Sequence, residues 1–332
     1  MTVKLSVLDQ GPVTKGNRAP DALHKAVELA QLAEKLGYER IWMAEHHNTD
    51  AFASSAPEIT TAYIAAKTEK IRVGTGGTMI MHYSPYKVAE VFKTLSSLAP
   101  DRIDFGIGRA PGGDQAAIYA LAEGRSVPFD ELYGKIDDTL KLIADEEPIN
   151  PVYQNLITSP VDVPLPEAWL LGSSGQSAMQ AGEMGLGYSY AQFFTGNISK
   201  EIFDMYRRSF RPSRFMKQPK VMVCYFVTVA ETREEAEYQA RPADLARLAL
   251  QRGRIIQYLT PEEAHRVPLS EMDKMLIQEN RKMNFVGSAK DVAERLVAEQ
   301  ETYGFDEAMI CTIPHSQKER LNAYRLLAKE LL

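Results

Sequence analysis

Apolar positions along this chain change their period in a regular alternation. Short β-rich runs give way to stretches in which apolar residues recur every three to four positions. Val3–Leu8 is the first such run, and residues 21–36 follow with Leu23, Ala26, Val27, Ala30 and Ala33 on one helical face, closed by Gly37. The same beat predicts strands at 40–44, 71–75 and 103–107, with helices at 57–68, 85–98 and 129–146. A Pro-rich, weakly patterned excursion occupies 148–166 before the next strand, 168–171. That strand breaks into Gly172-Ser173-Ser174-Gly175-Gln176-Ser177, and a helical pattern resumes through Met179, Ala181 and Met184.

A strand at 187–191 precedes a helix at 199–210, and 221–229 is the most strongly β-patterned run in the chain. Residues 234–281 are helix-rich and charged, too long for a plain strand-to-helix connection. Val286-Gly287-Ser288 then caps a helix at 289–303, a strand follows at 307–313, and a helix at 316–331 ends the chain. Eight strands alternating with helices predict an α/β fold, a (β/α)8 TIM barrel with a helical insertion after strand 7. The expected organisation is one domain over 1–332, with the insertion at about 236–284. A doubly wound open sheet is the alternative, since local pattern does not show closure.

Composition narrows the class. Of 332 residues, 45% are hydrophobic and 25% charged, which supports an ordinary globular core. A net charge of −6 argues against non-specific nucleic-acid binding. Cys224 and Cys311 sit in apolar runs and read as buried core residues, not a bridge. No apolar stretch approaches the roughly 20 residues of a membrane span. Val3–Leu8 follows directly on the first residues without a basic segment and apolar signal core, so a cytoplasmic location is expected.

In a barrel, chemistry gathers at the strand C-termini. Glu45-His46-His47 lies after the second strand, Gly74-Thr75-Gly76-Gly77-Thr78 at the third, Gly108-Arg109 after the fourth, and the serine turn after the fifth. The turn would place a helix N-terminus and hydroxyls before an anion such as phosphate, or its serines would simply cap the helix. Arg109 would join such an anion site, or pair with Asp114 or Asp104. The glycines would admit a ligand close to the backbone, or serve tight strand packing or a bulge; no GxGxxG fingerprint is present. His46 and His47 are adjacent and would point to opposite strand faces, so a shared metal is not expected even with His82 nearby. The ordinary role for such histidines is a capping or loop hydrogen bond.

These pieces together resemble the bacterial-luciferase-like flavin monooxygenases. The resemblance runs through Leu8-Asp9-Gln10, Trp42 to His47, Val73 to Met79, Phe105 to Gly112 and Leu171 to Ala178, in order and over essentially the whole chain. It implies a TIM barrel with a non-prolyl cis peptide within Thr75-Gly76-Gly77, and FMN across the barrel mouth. Arg109, Gly172, Ser173, Ser174 and Ser177 would meet its phosphate, and the backbone from Thr75 through Gly76 and Gly77 to Thr78 would carry its ring. His46 matches the family's active-site histidine, an acid/base candidate, while His47 packs or orients. Gly108 stands where luciferase has a cysteine before the arginine, and no luciferase partner subunit is implied, so light emission is not expected.

The implied function is an FMN-dependent monooxygenase using reduced FMN and O2 on a small organic substrate, with a separate NAD(P)H:flavin reductase as possible partner. A hydride-transfer oxidoreductase using a flavin or a deazaflavin (F420), and a non-catalytic flavin-binding protein, are the alternatives. Relatives commonly dimerise through helices near the second and third strands, which implies a homodimer and draws attention to Ala62–Ala66. In the insertion, Arg252, Arg254, Tyr258 and His265 would close over the flavin, or form a solvated helix face.

Overall fold

The computed structural model describes residues 3–109 and 111–332, Thr195 by its backbone alone. Its strands are β1 (Lys4–Asp9), β2 (Arg40–Met43), β3 (Arg72–Thr75), β4 (Thr78–Met79) and β5 (Ile103–Gly108). They continue with β6 (Glu167–Gly172), β7 (Gly187–Ala191), β8 (Val221–Ala230), β9 (Phe285–Ser288) and β10 (Glu307–Cys311). Parallel pairing runs β10-β1-β2-β3-β5-β6-β7-β8, and β8 pairs with β10 in turn through Glu307↔Met222 to Cys311↔Phe226. The ring is therefore closed, and the open-sheet alternative is excluded. Eight strands make the (β/α)8 barrel; β4 prolongs the β3 side and pairs Thr78 with Ile107.

The helices in order are α1 (Ala19–Leu36), α2 (Pro57–Ala65), α3 (Pro85–Leu98), α4 (Gln115–Leu121) and α5 (Leu132–Ile143). Next come α6 (Gly175–Glu183), α7 (Gln192–Thr195), α8 (Lys200–Ser209), α9 (Arg233–Gln251), α10 (Pro261–Arg266) and α11 (Glu271–Met283). Then α12 (Ala289–Tyr303) and α13 (Gln317–Leu331) complete the set. Gly37 closes α1 in the left-handed conformation at φ 87°, as the sequence predicts. Four elements were not expected from the sequence: β4, α4, α7 and β9. Helix α4 is started by Asp114, whose carboxylate accepts from the Ala117 N–H. Residues 285–288 do more than cap α12: they pair with Val227–Ala230, the far half of the ten-residue β8.

Period-two alternation sorts the strand residues into two cores. Val7, Ile41, Val73, Phe105, Leu170, Tyr188, Val223 and Ile310 face the helices. Leu8, Trp42, Trp169, Met222, Cys224, Met309 and Cys311 fill the barrel interior, with the Trp42 and Trp169 rings edge to face at 5.7 Å. Both cysteines are free and buried, in agreement with the sequence.

At the N-terminal end of the barrel the interior is ionic. Buried Arg40 donates to Asp104 at 2.7 Å, Glu307 at 2.8 Å and Glu167 at 3.2 Å, while Arg72 reaches Asp104 at 2.6 Å and Lys220 reaches Glu167 at 2.8 Å. Three cations thus face three carboxylates. Burial would raise the Glu167 carboxyl, but Arg72, Arg40 and Lys220 override it and hold the group at about 2. The network leaves the opposite end of the barrel free of these charges. None of the described helices is long and apolar enough to cross a membrane.

Candidate active site at the barrel mouth

Beyond the end of β2, alternate residues Glu45 and His47 meet each other while His46 turns to a different neighbour. Glu45 is buried and gathers the loop: His47 Nε2 lies 2.8 Å from Oε1, the Tyr83 hydroxyl donates to Oε1 at 2.7 Å, and the Met79 N–H donates to Oε2 at 2.9 Å. His47 is therefore an orienting group of the carboxylate. The His82 ring nitrogen Nε2 sits 2.8 Å from the Pro111 carbonyl. No group of three or more His, Cys, Asp or Glu side chains among the described residues could hold a metal ion.

His46 is different. Its ring stacks on Phe52 at 4.6 Å, and its buried Nε2 has no hydrogen-bond partner among the described residues. Burial, with the neighbouring His47 ring as a smaller contributor, lowers its pKa to about 4, against the opposing pull of Glu45. The imidazole is neutral at pH 7. At the C-terminal end of β7, the buried Gln192 Oε1 also has no partner among the described residues. With Asp9 Oδ2 at the end of β1, three buried polar atoms at strand C-termini thus lack partners among the described residues, and such atoms are costly unless a ligand or water completes them.

The Gly76-Gly77 peptide is cis, within the segment the sequence analysis marked. The glycines here serve close packing. A Cβ at Gly76 would lie 2.7 Å from Leu8 Cδ1 and 3.0 Å from Trp42 Cβ, and one at Gly77 2.9 Å from the Gly108 nitrogen. The Thr75 hydroxyl donates to the Gly106 carbonyl at 2.9 Å and accepts from Thr78 at 3.0 Å, tying the loop to β5.

Arg109 follows β5 directly and is exposed. Neither acid considered for it is available. Asp104 belongs to the ionic layer, where Arg40, Arg72 and the Trp42 indole take it, and Asp114 accepts from Asn48 and the Ala117 N–H. Ile107 pairs with Leu170, so two residues further on Arg109 stands level with Gly172. The charge of Arg109 is felt by Tyr133, and Tyr133 in turn by Tyr188, whose hydroxyl donates to the Ser174 carbonyl at 3.0 Å.

The serine turn divides its labour. Ser174 is the N-cap of α6, its hydroxyl 3.3 Å from the Ser177 N–H, and the Ser177 hydroxyl answers the Ser174 N–H at 3.3 Å. This is a capping box, the ordinary role for such serines. Ser177 also lies 3.0 Å from the Tyr188 hydroxyl, and a Cβ at Gly172 would collide with the Ser177 side chain. Ser173 makes no hydrogen bond among the described residues, and the first-turn N–H groups of Gly175 and Gln176 have no intrahelical acceptor. A guanidinium and a hydroxyl without partners among the described residues, beside a helix N-terminus on the neighbouring strand, suit a phosphate.

Of the insertion residues singled out in sequence, only Tyr258 joins the mouth, buried with Trp42, Cys311 and Phe52. Arg252 is paired with Asp273, Arg254 is exposed, and His265 stacks on Tyr238 at 4.7 Å on the outer side of α9 and α10. Glu45 and Gln192 were not assigned roles in sequence; a carboxylate beside two histidines was the available signal for the first, and none marked the second.

The closed barrel agrees with the proteins to which the chain is similar. A family model described as luciferase-like monooxygenase matches residues 1–307. The chain belongs to the luciferase-like monooxygenase family. Among curated proteins it is 41% identical over 326 residues to the protein YwcH of Bacillus subtilis strain 168, covering 98% of each chain. It is 35% identical over 339 residues to the N-acetyl-S-alkylcysteine monooxygenase of the same organism, covering 99% of this chain and 98% of that one. The crystal structure of apo-MsnO8 matches with a TM-score of 0.89 at 36% identity, covering 99% of this chain and 98% of that one.

Proposed function

We propose that the protein is an FMN-dependent monooxygenase that uses reduced FMN and O2 to oxidise a small organic substrate. The observation that carries this reading is the pair of unmatched donor sets at the mouth. Among the described residues, Arg109, Ser173 and the Gly175 and Gln176 N–H groups of α6 have no acceptor on one side, and His46 Nε2 has no partner on the other. The first set fits a phosphate, and the second fits a polar ring edge or reacting atom beside it.

When bound, FMN supplies the oxygen chemistry; the chain supplies position, dryness and proton handling. Arg109, Gly172, Ser173 and the first turn of α6 hold the phosphate, with Ser174 and Ser177 fixing that turn through the capping box. The Thr75–Thr78 backbone carries the ring, kept in place by Glu45 through the Met79 N–H. Neutral His46 offers a ring nitrogen that accepts or returns a proton at the reacting centre, and Phe52 holds its plane. Trp42, Phe52, Tyr258 and Ile313 exclude water from the chamber.

A separate NAD(P)H:flavin reductase delivers the reduced cofactor in this reading. The exposed Ile59 and Tyr63 on α2 offer a face for a homodimer. The test is turnover of a panel of small organic compounds with reduced FMN under 18O2. One labelled oxygen atom in a product supports the monooxygenase. Oxidation without label, or only with a deazaflavin, would establish hydride transfer instead.

A further inference from the structure

Helix α9 leads back over the barrel mouth. Ala243 and Ala246 pack into the same apolar cluster as Trp42, Tyr258 and Cys311, together with Phe52, the ring under His46. Arg247 follows on that face, one turn beyond Ala243. Its side chain is half-buried, yet among the described residues it has no hydrogen bond, ion pair or ring contact. Every other described arginine that is not exposed is held: Arg40, Arg72, Arg281 and Arg320 by carboxylates, Arg102 and Arg241 by carbonyls, for example. Burial disfavours the charged form of Arg247, against the opposing influence of the nearby Tyr258 hydroxyl.

A partly desolvated guanidinium without a counter-charge is unfavourable, and a bound anion removes the deficit. We propose that Arg247 anchors the carboxylate of a small organic substrate, with the Tyr258 hydroxyl as second donor, so that the substrates are amphipathic organic carboxylates. The inference rests on the monooxygenase reading of the mouth. One cation and one neutral hydroxyl suit a monoanion, and the planar fork of arginine matches the two oxygens of a carboxylate. A phosphate dianion is served elsewhere, by Arg109 beyond β5, across the ring from β10. The apolar part of the substrate lies against Phe52, Phe193 and Phe226, which border the same cluster.

Calorimetric titration with N-acetylmethionine and with its uncharged amide, with and without saturating FMN, tests the anchor. The wild type should bind the carboxylate at least tenfold more tightly than the amide. R247Q should lose that preference, R247K should recover part of it, and FMN affinity should be the same in all three. Equal affinity for the two probes, binding of neither, or a preference surviving in R247Q would overturn the proposal. So would loss of FMN binding in R247Q, which would assign Arg247 to the cofactor. A wild type that prefers the carboxylate but does not bind FMN would leave the anchor standing and remove the cofactor reading.

Discussion

Lowering the pH from 7 to 5 should destabilise this protein through His46, and by an amount the structure fixes. The ring has an ordinary pKa of 6.5 and is lowered to about 4 in the fold, chiefly by burial. Because the folded value lies below the unfolded one, the unfolded chain takes up the proton first as pH falls. The stability His46 contributes is therefore full above 6.5 and is lost on descent toward 4. The whole shift corresponds to a ceiling of about 3 kcal/mol at 1.36 kcal/mol per pH unit, and about 2 kcal/mol of that is gone by pH 5. The side chain is only half-buried although Nε2 is shielded, so a loss of about 1–2 kcal/mol is expected at pH 5. Urea unfolding of the wild type and of H46Q at pH 7 and pH 5 isolates this contribution, since every other titrating group is common to both. The variant should lose less stability than the wild type across that interval by this margin. Identical pH dependence in the two proteins would refute the assignment of a buried, neutral His46, and with it the ring as a proton acceptor at pH 7.

Arg109→Ala should weaken FMN binding by about 1.5–3 kcal/mol, the range for a hydrogen bond to a charged group, while leaving the unfolding midpoint unchanged because Arg109 is exposed and has no partner among the described residues. Titration of FMN fluorescence checks it, and unchanged affinity would remove Arg109 from the phosphate site. Glu45→Ala strands the Tyr83 hydroxyl and the Met79 N–H, and should cost about 2–5 kcal/mol by denaturant unfolding together with looser flavin binding. A stable variant with full affinity would show that Glu45 does not organise the loop. Gly106→Ala drives a methyl into the Thr75 carbonyl oxygen. Backbone must move, so the loss should reach the upper end of about 1–3 kcal/mol; a neutral effect on the unfolding midpoint would contradict the close approach of β3 and β5.

The barrel was legible because its strands and helices carry clean, alternating periods, and because caps such as Gly37 and Ser288 mark the ends. Closure was not, since the β8–β10 pairing joins residues some 85 positions apart and leaves no local signature. Helix α4 carried its signal in Asp114 but is short. Residues 285–288 read as a cap because four residues pairing with a prolonged strand look like any loop. At the site, motif residues were visible and their partners were not. Asp104 looked available to Arg109, yet lies at the other end of its strand, in the ionic layer built around Arg40. Tyr258 meets Trp42 and Phe52 only because the chain beyond α9 returns over the barrel, a tertiary fact no spacing reveals. The serine turn shows its capping reading, through Ser174 and Ser177, and among the described residues leaves Ser173 and the Gly175 and Gln176 N–H groups open, on which the proposed anion site rests.

Charge is divided between the two ends of the barrel. The N-terminal end pairs two buried carboxylates, Asp104 and Glu307, and the part-buried Glu167 with three cations, so it stabilises the fold. At the C-terminal end, polar groups are left without partners, the condition that ligand sites share.

The most direct test of the account is anaerobic titration of the protein with reduced FMN and, in parallel, with reduced riboflavin, which lacks the phosphate. The account predicts that reduced FMN binds and that riboflavin binds at least tenfold more weakly, with Arg109→Ala narrowing the gap. Equal binding of the two, or binding of neither, would contradict a flavin held at the barrel mouth through its phosphate.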